Sequence, residues 1–405
     1  MTKKSSLKRS LSLTMVVLYG LGTTIGAGIY ALVGEIAQVA GYFAPISFLI
    51  ASILAGFTAI SFAELSGRFP YAAGAALYIQ NGFKSQSLST IIGILVIIAG
   101  LVSAAALVNG FVGYLHQFVD VDRLFAILLV TLILFGIAAL GIAESVAIAC
   151  LITIVEIGGL LLIIFVSNNE LSDFSIRWKE LIPPVSFSGW EGIYFGALIS
   201  FYAYIGFEDM VDIAEEVKDV KRNLPIAILL TLGITTLLYF LLMTTVVLSI
   251  PPAELASREA PLAYLYEYHT GKQAVVISVI GMFAVINGAL IQIIMASRVL
   301  YGLSSRGQLP KLLSIIHHRT RTPIIATAVA VVIVLTLALI GRLASLAEIT
   351  SLIMLTIFSV VNLALWRIKQ ENPNPGEVII FPSWIPITGF FVSFAFVLGK
   401  AISYL

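Results

Sequence analysis

The residues able to do chemistry in this chain sit inside apolar stretches. Gly22-Thr23-Thr24-Ile25-Gly26-Ala27-Gly28-Ile29 lies near the middle of one stretch, and Phe201-Tyr202-Ala203-Tyr204-Ile205-Gly206-Phe207-Glu208 near the middle of another. Glycine in a helix interior costs about 1 kcal/mol relative to alanine, so clusters at mid-stretch point to unwound backbone. In lipid, unwound backbone survives only where it is buried in protein or lines a cavity. Freed N–H groups at Gly26, Ala27 and Gly28 can hold a carboxylate, helped by the dipole of the half-helix they begin. Freed carbonyls of Thr24, Ile25, Tyr202, Ala203 and Ile205 can accept from an ammonium group. A zwitterionic amino acid fits that set of donors and acceptors. The competing reading is close helix packing through small residues. Two clusters in matched places favour the binding reading.

Glu156 is the other conspicuous group. It stands near the midpoint of an apolar stretch, beside Thr153 and Gly158-Gly159. An ionised carboxylate at the bilayer centre costs several kcal/mol unless paired or hydrated. Three roles are open to it: a carrier of the coupling proton, part of a site for sodium or for a substrate's positive end, or a hydrogen-bonded buried group. Glu208 directly follows the second glycine break, where an acid can cap the half-helix behind it. Ser103 and Asn109, Asn287 and Gln292, and Thr350, Ser351 and Met354 are candidates for side-chain selectivity or for ordinary interhelical bonding. His116, His269, His317 and His318 fall at stretch ends or in connections and give no metal-binding spacing. No nucleophile–base set and no phosphate-binding loop is visible, so an enzyme or an ATP-driven pump is disfavoured, and neither cofactor nor metal is expected.

The elements that must position these residues are membrane helices. The chain has 405 residues, 59% hydrophobic and only 11% charged, and its mean hydropathy is +1.04. Soluble domains carry roughly 25% charged residues. Eleven stretches are long enough to cross a bilayer, at about 12–33, 43–65, 88–116, 124–142, 145–166, 192–214, 225–250, 272–304, 323–341, 345–366 and 382–403. Continuous apolar runs exclude a transmembrane barrel, whose strands alternate. An N-terminus on the cytoplasmic side puts 16 Lys and Arg inside and 7 outside, as the positive-inside rule requires. The C-terminus is then expected outside. The first stretch exceeds a signal-peptide core and is read as a retained span. Cys150, the one cysteine, lies within a span, so no disulfide-linked partner is expected. The four tryptophans fall at span ends or in the adjoining connection, as an interfacial belt does.

Spans 1–5 (about 12–166) and 6–10 (about 190–366) read as two repeats, each opening with a glycine-interrupted span. Five is odd, so the second repeat enters from the opposite face. That counting gives a LeuT-type five-plus-five inverted arrangement, a transport core over 1–366 with an additional helix at 382–403.

Several stretches then resemble a known family. Ile25-Gly26-Ala27-Gly28-Ile29-Tyr30, Phe69-Pro70-Tyr71-Ala72-Ala73-Gly74-Ala75-Ala76-Leu77-Tyr78, Ala203-Tyr204-Ile205-Gly206-Phe207-Glu208 with Ala214-Glu215-Glu216-Val217-Lys218, and Ala296-Ser297-Arg298-Val299-Leu300-Tyr301 are similar to motifs of the amino acid–polyamine–organocation superfamily. In particular, the chain resembles the bacterial amino acid permeases related to cationic amino acid transporters. The resemblance implies an alpha-amino acid held between the interruptions of helices 1 and 6 and moved by alternating access. It also implies a gating or pH-sensing acid at Glu208 and places Ser297 where the fold's sodium site takes a hydroxyl. The chain departs from the family in two ways. Many members have twelve helices, so the oligomeric state is left open. At Glu156 proton-coupled relatives often carry lysine.

The expectation is a secondary active transporter for small amino acids in the plasma membrane, coupled to protons. An exchanger of amino acids or amines, or a sodium-coupled symporter, are the alternatives within transport. A non-transporting amino acid sensor would need a signalling segment that the sequence does not display.

Overall fold

Each of the eleven apolar stretches is helical in the computed structural model, which describes residues 9–403 other than 72–73, 141–145, 169–173, 185–186, 306, 308, 319 and 321. The spanning helices are α1 (Leu13–Ala40), α2 (Ala44–Arg68), α4 (Gln86–Leu115), α5 (Arg123–Leu140), α6 (Val146–Val166) and α7 (Phe187–Tyr202), followed by α8 (Val220–Ser249), α10 (Val275–Ser305), α11 (Ile324–Ile340), α12 (Leu343–Glu371) and α13 (Trp384–Ile402). Shorter helices lie in the connections, among them α3 (Gly74–Phe83) and α9 (Pro261–Thr270). Seven helical stretches are by themselves long and apolar enough to cross a membrane, and three further apolar helices are shorter, so the chain is a multi-pass membrane protein.

Local chemistry sets the boundaries. The Ser12 hydroxyl accepts from the Met15 N–H to cap α1, and Gly41, at φ 58°, ends it. Ser85 caps α4 in the same way. The sixth spanning helix is the exception: α7 stops at Tyr202, four residues turn without helix, and a ten-residue 3₁₀ segment, Phe207–Glu216, continues the span. Runs of 3₁₀ beyond three or four residues are uncommon and mark strain or a hinge.

Packing divides the bundle. α2 lies along α8 and α7, and α1 lies along α8. α4 lies along α10 and α12, and α5 along α11. α1 also touches α6 and α10, which places it between the two groups. On the face opposite the N-terminal one, Gly34 meets Leu255 and Pro261, and Gly113 meets the Glu259 backbone, so the connection before α9 covers the ends of α1 and α4. On the N-terminal face, Leu11 pairs with Val217 in a parallel bridge, tying the start of the chain to the end of the 3₁₀ segment.

A buried ion cluster fixes the N-terminal face. Glu64 on α2 accepts from Lys369 of α12 at 2.7 and 2.9 Å, from Arg68 at 2.7 and 3.0 Å, and from the Phe381 N–H at 3.0 Å. The Glu64 side chain is fully buried and that of Lys369 is 4% exposed. Removing one member of a buried pair leaves an uncompensated charge, at a cost of about 3–5 kcal/mol. Lys369→Ala is therefore expected to cost about 3 kcal/mol, because Arg68 still faces the carboxylate. Thermal unfolding in detergent should show a clear fall in Tm, with much of it recovered when Glu64→Gln is added.

Candidate functional site

Two neighbouring cavities, with Ser103, Ile205, Asp209 and Gln292 in both their walls, lie at the interruption after α7. The larger, about 430 Å³, is lined by Phe62 of α2, Gly74–Leu77 and Gln80 of α3, Gly93, Gly100 and Ser103 of α4, Met295 and Val299 of α10, and Thr350, Met354 and Phe358 of α12. Its depth is bounded by Ile205, Glu208, Asp209 and Asp212, and it extends to the N-terminal face of the bundle. The smaller, about 50 Å³, is a chamber walled by Thr23, Thr24, Gly26, Gly28, Ser103, Glu156, Tyr202, Ile205, Asp209, Asn287 and Gln292. Together they carry four carboxyl groups and no Lys, Arg or His among the described lining residues. The larger volume lies within the about 300–1,000 Å³ of small-molecule pockets.

The expected interruption of helix 6 is present. Gly206 has φ 126°, and a Cβ built on it would stand 2.2 Å from the Thr23 carbonyl oxygen, so both its backbone angle and its surroundings demand glycine. Its N–H donates to a Glu208 carboxylate oxygen at 2.8 Å, and its carbonyl accepts from the Thr23 hydroxyl at 2.9 Å. Glu208 thus holds the backbone of the turn and also lines the larger cavity.

The expected interruption of helix 1 is not present, and this corrects the sequence reading. α1 is helical without a break from Leu13 to Ala40, so the N–H groups of Gly26, Ala27 and Gly28 are not released for a carboxylate. The glycines instead admit close neighbours: a Cβ on Gly28 would lie 2.7 Å from the Ala203 Cα, and one on Gly22 would lie 2.1 Å from the Thr153 hydroxyl. Gly26 faces Glu156, whose carboxylate oxygens would be 3.8 and 3.9 Å from such a Cβ. Small residues here buy proximity between α1 and the turn after α7, which is the packing reading of the same pattern. Thr24 and Gly26 still wall the chamber, Ile25 is fully buried in the core, and the side chain of Ala27 lies outside the described residues.

The remaining candidates separate by position. Glu156 is 2% exposed and borders the chamber, and its backbone carbonyl accepts from the Tyr30 hydroxyl at 2.6 Å. Tyr202 and Ser103 both line the chamber, their hydroxyls 2.8 Å apart. Asn287 and Gln292 reach it from α10, and Met354 and Thr350 line the larger cavity from α12. Ala203 is buried against α1 and α8. Asn109 belongs elsewhere: its amide donates to the Ala105 and Ala338 carbonyls at 3.2 Å and accepts from Arg123 at 2.7 Å, joining α4, α5 and α11. Ser297 turns back on its own helix, donating to the Ile294 carbonyl at 2.8 Å, and lines neither cavity. Ser351, fully buried, also lines neither cavity.

Sequence reasoning gave no role to Tyr239 and none to the side chains of Thr23 and Asp209. Tyr239, fully buried in α8, places its hydroxyl 2.9 Å from the Thr24 carbonyl and 3.0 Å from the Ala203 carbonyl. A phenol in mid-span must find an acceptor, and its place in Leu237-Leu238-Tyr239-Phe240 carries that signal.

A helical bundle with a polar cavity at mid-span, open towards one face and ended by an interrupted helix, is the architecture of a membrane transporter. The chain belongs to the amino acid permeases: the model of the family described as "Amino acid permease" matches residues 10–402. It is 30% identical over 400 residues to cationic amino acid transporter 2, vacuolar, of Arabidopsis thaliana, covering 92% of this chain and 62% of that protein. It is 25% identical over 422 residues to the branched-chain amino acid permease BcaP of Bacillus subtilis, covering 96% of this chain and 87% of that one. The chain therefore spans a little over six-tenths of the length of the plant relative but most of the bacterial one. Its structure superposes on the crystal structure of MhsT in complex with L-phenylalanine with a TM-score of 0.67 at 13% identity, over 99% of this chain and all of the other. That likeness shows the LeuT-type fold.

The close approach at Gly206 yields a test. Gly206→Ala must both adopt a strained φ and displace the Thr23 carbonyl, so a loss of stability of several kcal/mol is expected. Gly158→Ala, whose Cβ would meet nothing within 4 Å, serves as the control. The monodisperse fraction in size-exclusion chromatography should collapse for the first and stay unchanged for the second.

Proposed function

We propose that the chain is a secondary transporter of amino acids, coupled to protons, with its N-terminus on the cytoplasmic side of the plasma membrane. The observation that carries this reading is the chamber at the helix 6 interruption, walled by Glu156 and Asp209 and sharing Ser103, Ile205, Asp209 and Gln292 with a cavity large enough for a side chain. Positive-inside counting makes the N-terminal face the cytoplasmic one, so the structure corresponds to a carrier open inwards. The plant and bacterial relatives are named for cationic and for branched-chain amino acids, which supports amino acids as the class and leaves the side chain to be measured.

In this reading the amino group of the substrate sits in the chamber, where the carboxyl groups of Glu156 and Asp209 offer acceptors. Asn287, Gln292 and Ser103 offer the donors for its carboxylate. The side chain extends between Phe62, Met295, Met354 and Phe358, a lining with room for more than the small residues expected from sequence. Glu156 borders the substrate chamber and is buried against α1, so it would carry the coupled proton. The ion cost at the bilayer centre favours a neutral acid during the crossing.

The test is uptake of a labelled amino acid panel into proteoliposomes under an imposed inward proton gradient without sodium. Accumulation of one class driven by the gradient is expected. Flux seen only when unlabelled amino acid is loaded inside would make the protein an exchanger and sink the proton coupling. With the substrate known, Glu156→Gln should retain binding within about threefold while uptake at least tenfold slower loses its pH dependence. An unchanged pH profile in that variant would remove Glu156 from the coupling role.

A further inference from the structure

We infer that Tyr239 is a positioning residue for substrate binding, its single hydroxyl holding α1 and the interrupted helix at the spacing that shapes the chamber. The inference rests on the transport reading for its meaning but on geometry for its content. The hydroxyl lies 2.9 Å from the Thr24 carbonyl and 3.0 Å from the Ala203 carbonyl, one from each of the two segments that wall the chamber. Thr24 itself lines the chamber, and Ala203 is flanked by Tyr202 and, two residues on, Ile205, which also line it. One proton shared between two converging carbonyls does here what a small cation or an ammonium group could do: it offsets two facing dipoles that would otherwise repel.

The ring of Tyr239 is itself fixed. It stands edge-on to Phe48 of α2 at 5.5 Å between centroids and to Tyr204 in the turn at 5.3 Å. Tyr204 in turn donates to the Phe48 carbonyl at 3.2 Å. Phe48, Tyr204 and Tyr239 therefore lock α2, α8 and the turn together, and the hydroxyl extends that lock to α1. Across the same junction, Thr23 donates to the Gly206 carbonyl and Gly28 leaves room for Ala203. The Ala203 carbonyl lies beyond the last turn of α7, where helical bonding has ended, and the phenol of Tyr239 supplies its donor. Without that donor one of the two hydroxyl ties between the turn and α1 is lost, leaving Thr23 to Gly206 alone, and the arrangement able to bind substrate becomes one among several. Apparent affinity then falls by the fraction of molecules still in the competent arrangement, whereas saturating substrate restores it and leaves the maximal rate alone.

The experiment uses Tyr239→Phe, which keeps the ring and its packing and removes only the hydroxyl. The full chain in proteoliposomes is compared with wild type, and Thr245→Val, which loses a hydroxyl bonded within α8, is the control. For Tyr239→Phe the KM for uptake should rise on the order of tenfold with the maximal rate within about twofold, and Thr245→Val should match wild type. A purely structural role would lower the maximal rate through loss of folded protein with KM unchanged, and that result overturns the inference. Hydrogen exchange of the purified protein in detergent gives a readout that needs no substrate. Peptides covering 20–28 and 200–208 should exchange at least about threefold faster in Tyr239→Phe while a peptide within α5 stays as in wild type. Unchanged exchange in both peptides overturns the inference whatever the protein carries. Absence of amino acid uptake by wild type, with the exchange shift present, would instead count against the transport reading alone.

Discussion

A chain that gives up helical hydrogen bonds in the middle of a bilayer must find other partners for every group it releases. The turn after α7 does so residue by residue. The N–H groups of Ala203, Tyr204 and Ile205 bond back to Ser200, Phe201 and Tyr202 at 3.0–3.2 Å, tightening the last turn. The Gly206 N–H takes the Glu208 carboxylate, its carbonyl takes Thr23 and the Asp209 N–H, and the Ala203 carbonyl takes Tyr239. Each of these partners stands on a different footing: the turn itself, α1 and α8. The interruption therefore exists only because two other helices come close enough to serve it. The glycines of α1 are the condition for that approach, and so the continuous helix and the broken one are two halves of one solution.

The same accounting separates the charge of the N-terminal face from the charge around the cavities. Glu64, with Arg68, Lys369 and the Phe381 N–H around it, has its lone pairs occupied, and it holds the α12–α13 connection beneath α2. The carboxylates around the two cavities face no basic side chain among the described lining residues. A buried anion with matched cations is a staple. Acids gathered about a chamber carry no such matched cation among its described lining residues. Glu208 belongs to both kinds, since one oxygen holds the turn while the residue borders the cavity.

Much of this was legible in the sequence because hydrophobic length is a strong signal in membrane helices. All eleven stretches are helical, and their ends move by a few residues where capping residues such as Ser12, Ser85 and Gly41 decide. The helix 6 interruption was legible because Gly206 with an acid two residues on leaves few other conformations. The helix 1 cluster misled because Gly26 and Gly28 are compatible with two outcomes, an open turn or an intimate contact, and which one holds depends on what lies opposite. That information sits 175 residues away in Ala203, beyond the reach of local pattern. Asn109 stayed open between selectivity and interhelical bonding, and Ser297 was placed by resemblance alone, for a related reason: a polar residue in a span must bond somewhere, and their partners Ala338, Arg123 and Ile294 cannot be read from spacing. Helices α3 and α9 lie in connections whose apolar runs are too short to announce themselves.

The division of the bundle gives these local facts a mechanical sense. α1 carries close contacts towards both groups, with Gly20 and Gly28 against the α8 side and Gly22 and Gly26 against α6 and α10. A face of glycines has no side chains to interlock, so it resists sliding less than a face of leucines would. Hydroxyls tie both faces: Thr23 to Gly206 and Tyr239 to Thr24 hold α1 to the helix 6 turn, and Tyr30 to the Glu156 carbonyl holds it to α6. The face towards α6 and α10 also borders the chamber. The ten-residue 3₁₀ segment, poorer in hydrogen-bond geometry than an α-helix, is the part of the interrupted helix best able to yield. The bridge between Leu11 and Val217 ties its far end to the start of α1, so the segment bends between two fixed points.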